Sequence, residues 1–559
     1  MKKMKKNNFL EGAFIAVFCI IITKIIGILY VIPFYKIIGE QGGTLYGYAY
    51  NIYNIFLILS SAGIPLAISK ITSEYNTLEM HDKKTRLYQL ATKVIIIFSV
   101  VSFLLCFIFA PQLSNLIIGD LEGGNTLEDV TLVIRTISFA LLVVPILSIQ
   151  RGYIQGHRYI KEPSISQVIE QLVRIAIIII GSFTFTKIFK LPIRYGVAIS
   201  VFAAAIGGIA TYIYLNNIIK KNKNTLFTTE KSTMSKKDDK EIIKKILTYS
   251  IPFIIISLTN TLYNSADMLF IIKTLPKLGF SAVDTEFISS VFTTWGVKFN
   301  TIILSIPNGL IISLIPNLVK DYTENNKENV NLTFNKCLKI ILLIITPISI
   351  FMSGTSKMLW SIFYGYNAYG TSIIKFNLLV AIVSCMYIVV NSLLQSLNKQ
   401  KLIYISVITG TIVKVVLTIP LMNLFHNLNI AAYQGATAAS LIGLSVSVLI
   451  SIIYLNNKMK INYMETIKSI PRFILSLLVL IPMIHLFNTI LPTDSTNRII
   501  QVINLLISGV ICGGIYLIIN FKHIKLLLPE KLINKFNKQK WCNQEKLHYF
   551  LCVAILKKL

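Results

Sequence analysis

The chain has 559 residues, of which 54% are hydrophobic and 14% charged, against about 25% charged in a soluble protein. That composition excludes an ordinary soluble domain. The formal net charge of +29 raises nucleic acid as a partner, and the placement of the charge along the chain then excludes it.

The chain opens on a basic stretch, Met1 to Asn8, followed by an apolar segment at about 13–36. That segment is too long for the apolar core of a signal peptide and has no small-residue cleavage site, so it reads as an uncleaved first helix. Further segments follow at about 46–71, 87–110, 131–149, 164–185, 195–216, 249–272, 287–318, 337–352, 372–396, 403–423, 431–455, 473–488 and 499–521. Most approach or exceed the ~20 residues a helix needs to cross ~30 Å of hydrocarbon. Lipid offers the backbone no hydrogen bonds, so such segments form helices or a closed barrel. Barrel-type alternation is missing, which leaves helices.

With the N-terminus placed in the cytoplasm, the cytoplasmic connections collect 37 Lys and Arg and the outer connections 7. This is the asymmetry of the positive-inside rule. It also checks the helix count, since one missed helix would scramble the alternation. The basicity therefore reflects orientation against anionic lipid, and both termini are expected in the cytoplasm of a multi-pass plasma-membrane protein.

An internal repeat sets the organisation. QGHRYIKEPSISQVIEQLVR (155–174) aligns without a gap on QSLNKQKLIYISVITGTIVK (395–414), 240 residues later. Gln155 meets Gln395, Lys161 meets Lys401, Ser166 meets Ser406 and Arg174 meets Lys414. Six helices separate the copies, so both point the same way across the membrane. The expected fold is an all-α integral membrane protein of about fourteen transmembrane helices, with two six-helix lobes related by a parallel pseudo-two-fold repeat and two added C-terminal helices. The expected divisions are an N-lobe at 1–216, a basic cytoplasmic linker at 217–248, a C-lobe at 249–455, helices thirteen and fourteen at 456–525, and a basic tail at 526–559.

Ionisable groups in mid-membrane cost at least ~2.5–3.5 kcal/mol on insertion scales, so they face a cavity or a partner. Lys24 lies midway along the first segment, with Gly27 and Pro33 following; it reads as a cation facing a central cavity, or as one paired with a carboxylate. Lys298 lies in the eighth segment ahead of Pro307, Asn308 and Gly309, where the helix is expected to break. Arg174 follows Glu170 by four residues, the favourable spacing for an intrahelical pair. Asp267 is the acidic candidate of the seventh segment, placed towards its outer end for hydration, coupling or charge pairing. Lys414 is the repeat mate of Arg174, has Gly410 where Arg174 has Glu170, and is a further candidate for headgroup binding. Lys70 ends the second segment, where snorkelling to the headgroups is the ordinary outcome. Unpaired cations around one cavity suit a phosphate-bearing substrate, because lysine meets phosphate as a point charge and arginine as a fork.

No Walker A loop, HExxH or GxSxG is present, the six histidines are dispersed, and the seven cysteines form no CxxC pair. Neither metal nor cofactor is expected. Asp238 and Asp239 read as solvated charge. A small-molecule exporter and a membrane glycosyltransferase are the competing classes, though the short outer connections disfavour the enzyme.

Several stretches carry a resemblance: residues 30–76 with GIPLAISK, RGYIQG and SQVIEQLVRI within 135–175, LYNSADMLF (262–270), LIPNLVKDYT (314–323) and LLQSLNKQK (393–401). The chain resembles the MurJ-type lipid II flippases, in the YtgP branch close to SpoVB, of the multidrug/oligosaccharidyl-lipid/polysaccharide flippase superfamily. The resemblance implies alternating access and an undecaprenyl-diphosphate-linked peptidoglycan precursor moved from the inner to the outer leaflet. Another polyprenyl-linked polysaccharide or a sporulation-specific role is the alternative. It implies membrane lipids and the cell-wall synthesis machinery as candidate partners. It also implies headgroup binding by Lys24 and Lys298, joined in this branch by Lys70, Arg151 and Arg174. Tyr30 stands near a position that is arginine in Gram-negative members.

Overall fold

Apolar runs in lipid must satisfy their own backbone groups, and in the computed structural model the described residues form helices joined by short turns, with no strand among them. The residues described are 19, 22–61, 63–119, 121, 123–227, 236–324, 326–397, 399–491 and 497–527. Twelve of their helices are long and apolar enough to cross a membrane. Lys236–Thr274 supplies the seventh segment, and helical residues 22–29 lead into the kinked helix Val31–Ser61, which completes the first. The protein is a multi-pass, all-α membrane protein.

Three connections differ from the sequence expectation. The break between the first and second segments is a single residue, Gly39 (φ 68°), inside Val31–Ser61; only glycine takes that backbone easily. The second segment breaks again at Gly63 (φ 74°) before Ile64–Thr77. Much of the expected linker is helix, since Ile193–Lys221 runs past 216 and Lys236–Thr274 begins well before 249. Asp239 in that helix is not merely solvated. It accepts hydrogen bonds from Arg86 at 2.7 and 2.5 Å, which hold its carboxyl below the ordinary range. Residues 528–559, most of the tail with Cys542 and Cys552, lie outside the described residues; Cys19, Cys106, Cys337, Cys385 and Cys512 are buried free thiols.

The repeat recurs as packing. In the first half the third segment packs on the fourth, the fourth on the sixth and the fifth on the sixth. In the second half the ninth packs on the tenth, the tenth on the twelfth and the eleventh on the twelfth. One contact matches residue by residue. A Cβ built on Gly207 would lie 3.0 Å from the Glu170 carbonyl, and one built on Gly410 would lie 3.0 Å from the Ser447 Cβ. Positions 170 and 410, and 207 and 447, are each 240 apart. Gly410 and Gly443 also bring two backbones so close that a Cβ on either would sit within 2.6 Å of the other's carbonyl. Small residues at helix crossings replace the hydrophobic drive that lipid removes. Ile470–Ile490 and Arg498–Leu527 pack on each other and on the ninth segment and the helix Ser356–Tyr364. Asn488 and Tyr516 fasten them there through the carbonyls of Gly354 (2.8 Å) and Leu343 (3.0 Å).

The halves are also joined at both ends of the bundle. At the charge-poor end the second segment packs on the start of the eighth. There the buried Glu286 accepts from the Asn125 amide (3.0 Å) and side chain (2.9 Å), and Asn367 donates to Glu40 (3.2 Å). At the basic end the start of Lys236–Thr274 lies against Ile64–Thr77 and His81–Ile108, with Lys245 on Glu74 at 2.6 Å.

Candidate functional site

The first, second, fifth and eighth segments converge on Tyr30. This tyrosine and Val31 are buried, whereas Lys24, nearly two turns earlier on the same helix, is exposed. The helix therefore leaves the packed interior at the level of Lys24. From the eighth segment, the Lys298 ammonium lies 3.5 Å from the Tyr30 hydroxyl, 5.2 Å from the Tyr30 ring and 5.6 Å from the Trp295 ring. The helix Val297–Thr323 runs unbroken through Pro307, Asn308 and Gly309, so the expected break does not occur there. The irregularity is a π-helical turn at Val291–Trp295, just ahead of Lys298. Such turns insert a residue and re-aim the side chains that follow.

An aromatic roof lies over Lys298. Tyr46 stacks on Trp295 (5.9 Å, 24°), packs edge-on to Phe34 (5.1 Å) and touches Tyr50 (4.5 Å). Tyr35 and Tyr364 close around Trp295 from the other side, at 5.3 and 5.7 Å. From the fifth segment Arg174 donates to Gln171 at 2.5 Å, and its charge is felt at Tyr30, Tyr46 and Tyr50. Gln171 also marks the crossing of the first and fifth segments, since a Cβ on Gly27 would lie 3.0 Å from its amide nitrogen. Lys24 and Lys298 lie near enough to repel one another.

The remaining candidates are held otherwise. The expected Glu170–Arg174 pair is not formed; Glu170 accepts instead from Arg151 at 2.6 Å, while the Arg151 Nε donates to Ser166 at 2.9 Å. Asp267 is not a hydrated outer residue. It is buried and accepts from Lys414 at 2.7 Å, while the same ammonium donates to the Tyr263 carbonyl at 2.8 Å and sits over the Tyr263 ring. Lys414 is thereby sealed, which suits charge pairing and not headgroup contact. Lys70 is exposed and lies over the Tyr249 ring at 4.2 Å. Among the described residues no cluster of His, Cys, Asp and Glu could hold a metal.

The repeat bears on why Lys414 has a bonded carboxylate and Arg174 does not. Arg174 and Lys414 share a repeat position, and 240 residues before Asp267 stands Gly27. The second half thus carries a bonded counter-ion at this crossing, where the first half carries a glycine.

Residues 9–280 match the family described as "Polysaccharide biosynthesis protein". The chain is 29% identical over 473 residues to the lipid II flippase MurJ of Bacillus subtilis (strain 168), covering 83% of this chain and 85% of that one. Among solved structures, a lipid II flippase MurJ in an inward closed conformation superposes with a TM-score of 0.60 at 15% identity, covering 90% of this chain and 99% of the other. The chain is thus similar to MurJ over most of both chains, and shares its fold. The MOP fold is shared more widely: an inward-facing multidrug resistance MATE transporter of that superfamily also superposes at 0.60, with 15% identity, covering 77% of this chain and 94% of the other.

Sequence reasoning missed two features. One is the aromatic roof, whose signal was the spacing of Tyr46, Tyr50 and Tyr53 along one helix face; such a stripe usually means plain core. The other is Glu286, which stands among ordinary polar residues, so that nothing in the sequence marks its burial against Asn125.

Proposed function

We propose that this chain is a flippase that carries a polyprenyl-diphosphate-linked peptidoglycan precursor, the lipid II class, from the inner to the outer leaflet by alternating access. The observation that carries the reading is the meeting of Lys24, Lys298 and Arg174 from three helices, beneath an aromatic roof and without a bonded carboxylate among the described residues. Cations in a low-dielectric site attract a diphosphate far more strongly than in water. The tyrosine and tryptophan faces suit the sugar rings beside it. The likeness to the Bacillus subtilis lipid II flippase over most of both chains supports the same substrate class.

On this reading the protein sits in the plasma membrane with both termini cytoplasmic, in line with the charge asymmetry of its connections. The two halves, 1–216 and 249–455, rock about the bound headgroup, and helices thirteen and fourteen ride on the second. Its partners are membrane lipids, the lipid-linked precursor and the cell-wall synthesis machinery. Arg174 joins Lys24 and Lys298 in headgroup binding. Arg151 with Glu170, and Lys414 with Asp267, hold the helices that frame the site, and Lys70 anchors the membrane face.

The test is complementation of a flippase-depleted cell, read as lipid II accessible at the outer leaflet. Wild type restores it; Lys24→Glu and Lys298→Glu abolish it while leaving expression unchanged. Full activity of both reversals would refute the site. A drug exporter would confer resistance and leave lipid II where it was.

A further inference from the structure

The basic end of the bundle carries a cavity of about 380 Å³ that the transport reading does not use. It lies between the turn after Ile64–Thr77, the start of His81–Ile108 and the turn after Ala140–Gly156, with Thr225 at its edge. Its size falls within the ~300–1,000 Å³ typical of small-molecule sites. Four of its lining residues are basic in character, His81, Lys84, His157 and Arg158, and none of the lining residues is a carboxylate.

The walls are pre-organised. Lys84 is 4% exposed, and its ammonium donates to the Asn76 side-chain oxygen at 3.0 Å. The Asn76 amide in turn reaches the Gly156 carbonyl at 3.4 Å, across the cavity's two turns. The His157 ring is fixed by its Nδ1, 2.9 Å from the Tyr153 carbonyl. Arg158 holds a left-handed backbone (φ 65°), an uncommon state for a residue with a long side chain. The helix His81–Ile108 begins here with no side-chain cap at Met80, so its first-turn amides and the positive end of its dipole add to the cationic field.

We propose that this cavity is a phosphate-recognising site on the cytoplasmic face, separate from the transport site. Its ligand is a phosphate group with Lys84 and Arg158 as principal partners, whether borne by an anionic lipid headgroup or by a soluble phosphoanion. Guanidinium and ammonium groups around one small cavity match that chemistry, and anionic lipid is concentrated at this face. Occupancy clamps the hairpin of the second and third segments to the turn between the fourth and fifth.

The test uses the purified full chain in phosphatidylcholine nanodiscs, with thermal unfolding followed as inorganic phosphate is titrated against sodium chloride of matched ionic strength. The series is repeated in nanodiscs containing phosphatidylglycerol. Arg158→Asn removes the charge while suiting the left-handed backbone; Lys187→Gln, exposed at the other end of the bundle, controls for net charge. A phosphate-specific rise in midpoint that Arg158→Asn loses and Lys187→Gln keeps assigns a soluble phosphoanion. A rise seen only with phosphatidylglycerol, with the same variant pattern, assigns a lipid headgroup. No specific rise in either series, or one that Arg158→Asn leaves intact, overturns the proposal.

Discussion

At the scale of single residues, the structure sorts intramembrane charges by whether a counter-ion is bonded to them. Sequence placed Lys24, Lys298, Arg174, Asp267 and Lys414 inside the membrane, because ionisable residues stand out against apolar runs. It could not pair them, because partners such as Asp267 and Lys414 are 147 positions apart and only folding brings them to 2.7 Å. Arg151 and Glu170 show the same limit: helical spacing favoured Arg174 as the partner, and a neighbouring helix supplied a better-placed fork. The Lys414–Asp267 pair carries a sharp expectation. Removing one member leaves an uncompensated buried charge and costs about 3–5 kcal/mol. Lys414→Met alone should therefore lower the thermal midpoint of the detergent-purified protein strongly. Lys414→Met with Asp267→Leu should restore most of it, and a double variant no better than the single would exclude the pair as the cause.

At the scale of helices, the hydrophobic segments and their number were legible because lipid imposes one length and one hydrogen-bonding rule on all of them. The repeat was legible from a few polar matches. Its consequence at the crossing of the first and fifth helices was not, because Gly27 carries no side chain to attract notice. The kink at Gly39 and the π-helical turn at Val291–Trp295 left no sequence signal, whereas the proline and asparagine at 307–308 gave a false one. Installing the missing counter-ion tests the crossing directly. Gly27→Asp would place a carboxylate beside Gln171 and Arg174, as Asp267 stands beside Lys414. The new side chain meets only the flexible end of Gln171, so folding should survive. Lipid II transport should fall by about tenfold or more, equivalent to ~1.4 kcal/mol of lost headgroup attraction. Normal transport with normal expression would show that Arg174 does not touch the substrate.

At the scale of the whole molecule, the two halves are joined at the charge-poor end through the buried carboxylate of Glu286. Its Asn125 contacts satisfy a backbone amide and a side-chain amide at once. Leaving such donors unpaired costs about 1–3 kcal/mol each, enough to bias a two-state equilibrium several-fold or more. Glu286→Ala should open that end. In a cysteine-free background with Tyr50→Cys as reporter, maleimide labelling from the outer face should rise in Glu286→Ala; unchanged labelling would remove Glu286 from the closure.

The elbow at Gly39 has a mechanical corollary. One residue joins the stretch bearing Lys24 to the stretch bearing Tyr46 and Tyr50, and there is no slack between them. A Cβ at Gly39 would touch nothing within 4 Å, so the pivot is unobstructed. On the proposed reading, the angle between the two arms sets how far Lys24 stands from the rings of Tyr46 and Tyr50, so one backbone position governs the span available to a cargo held between them.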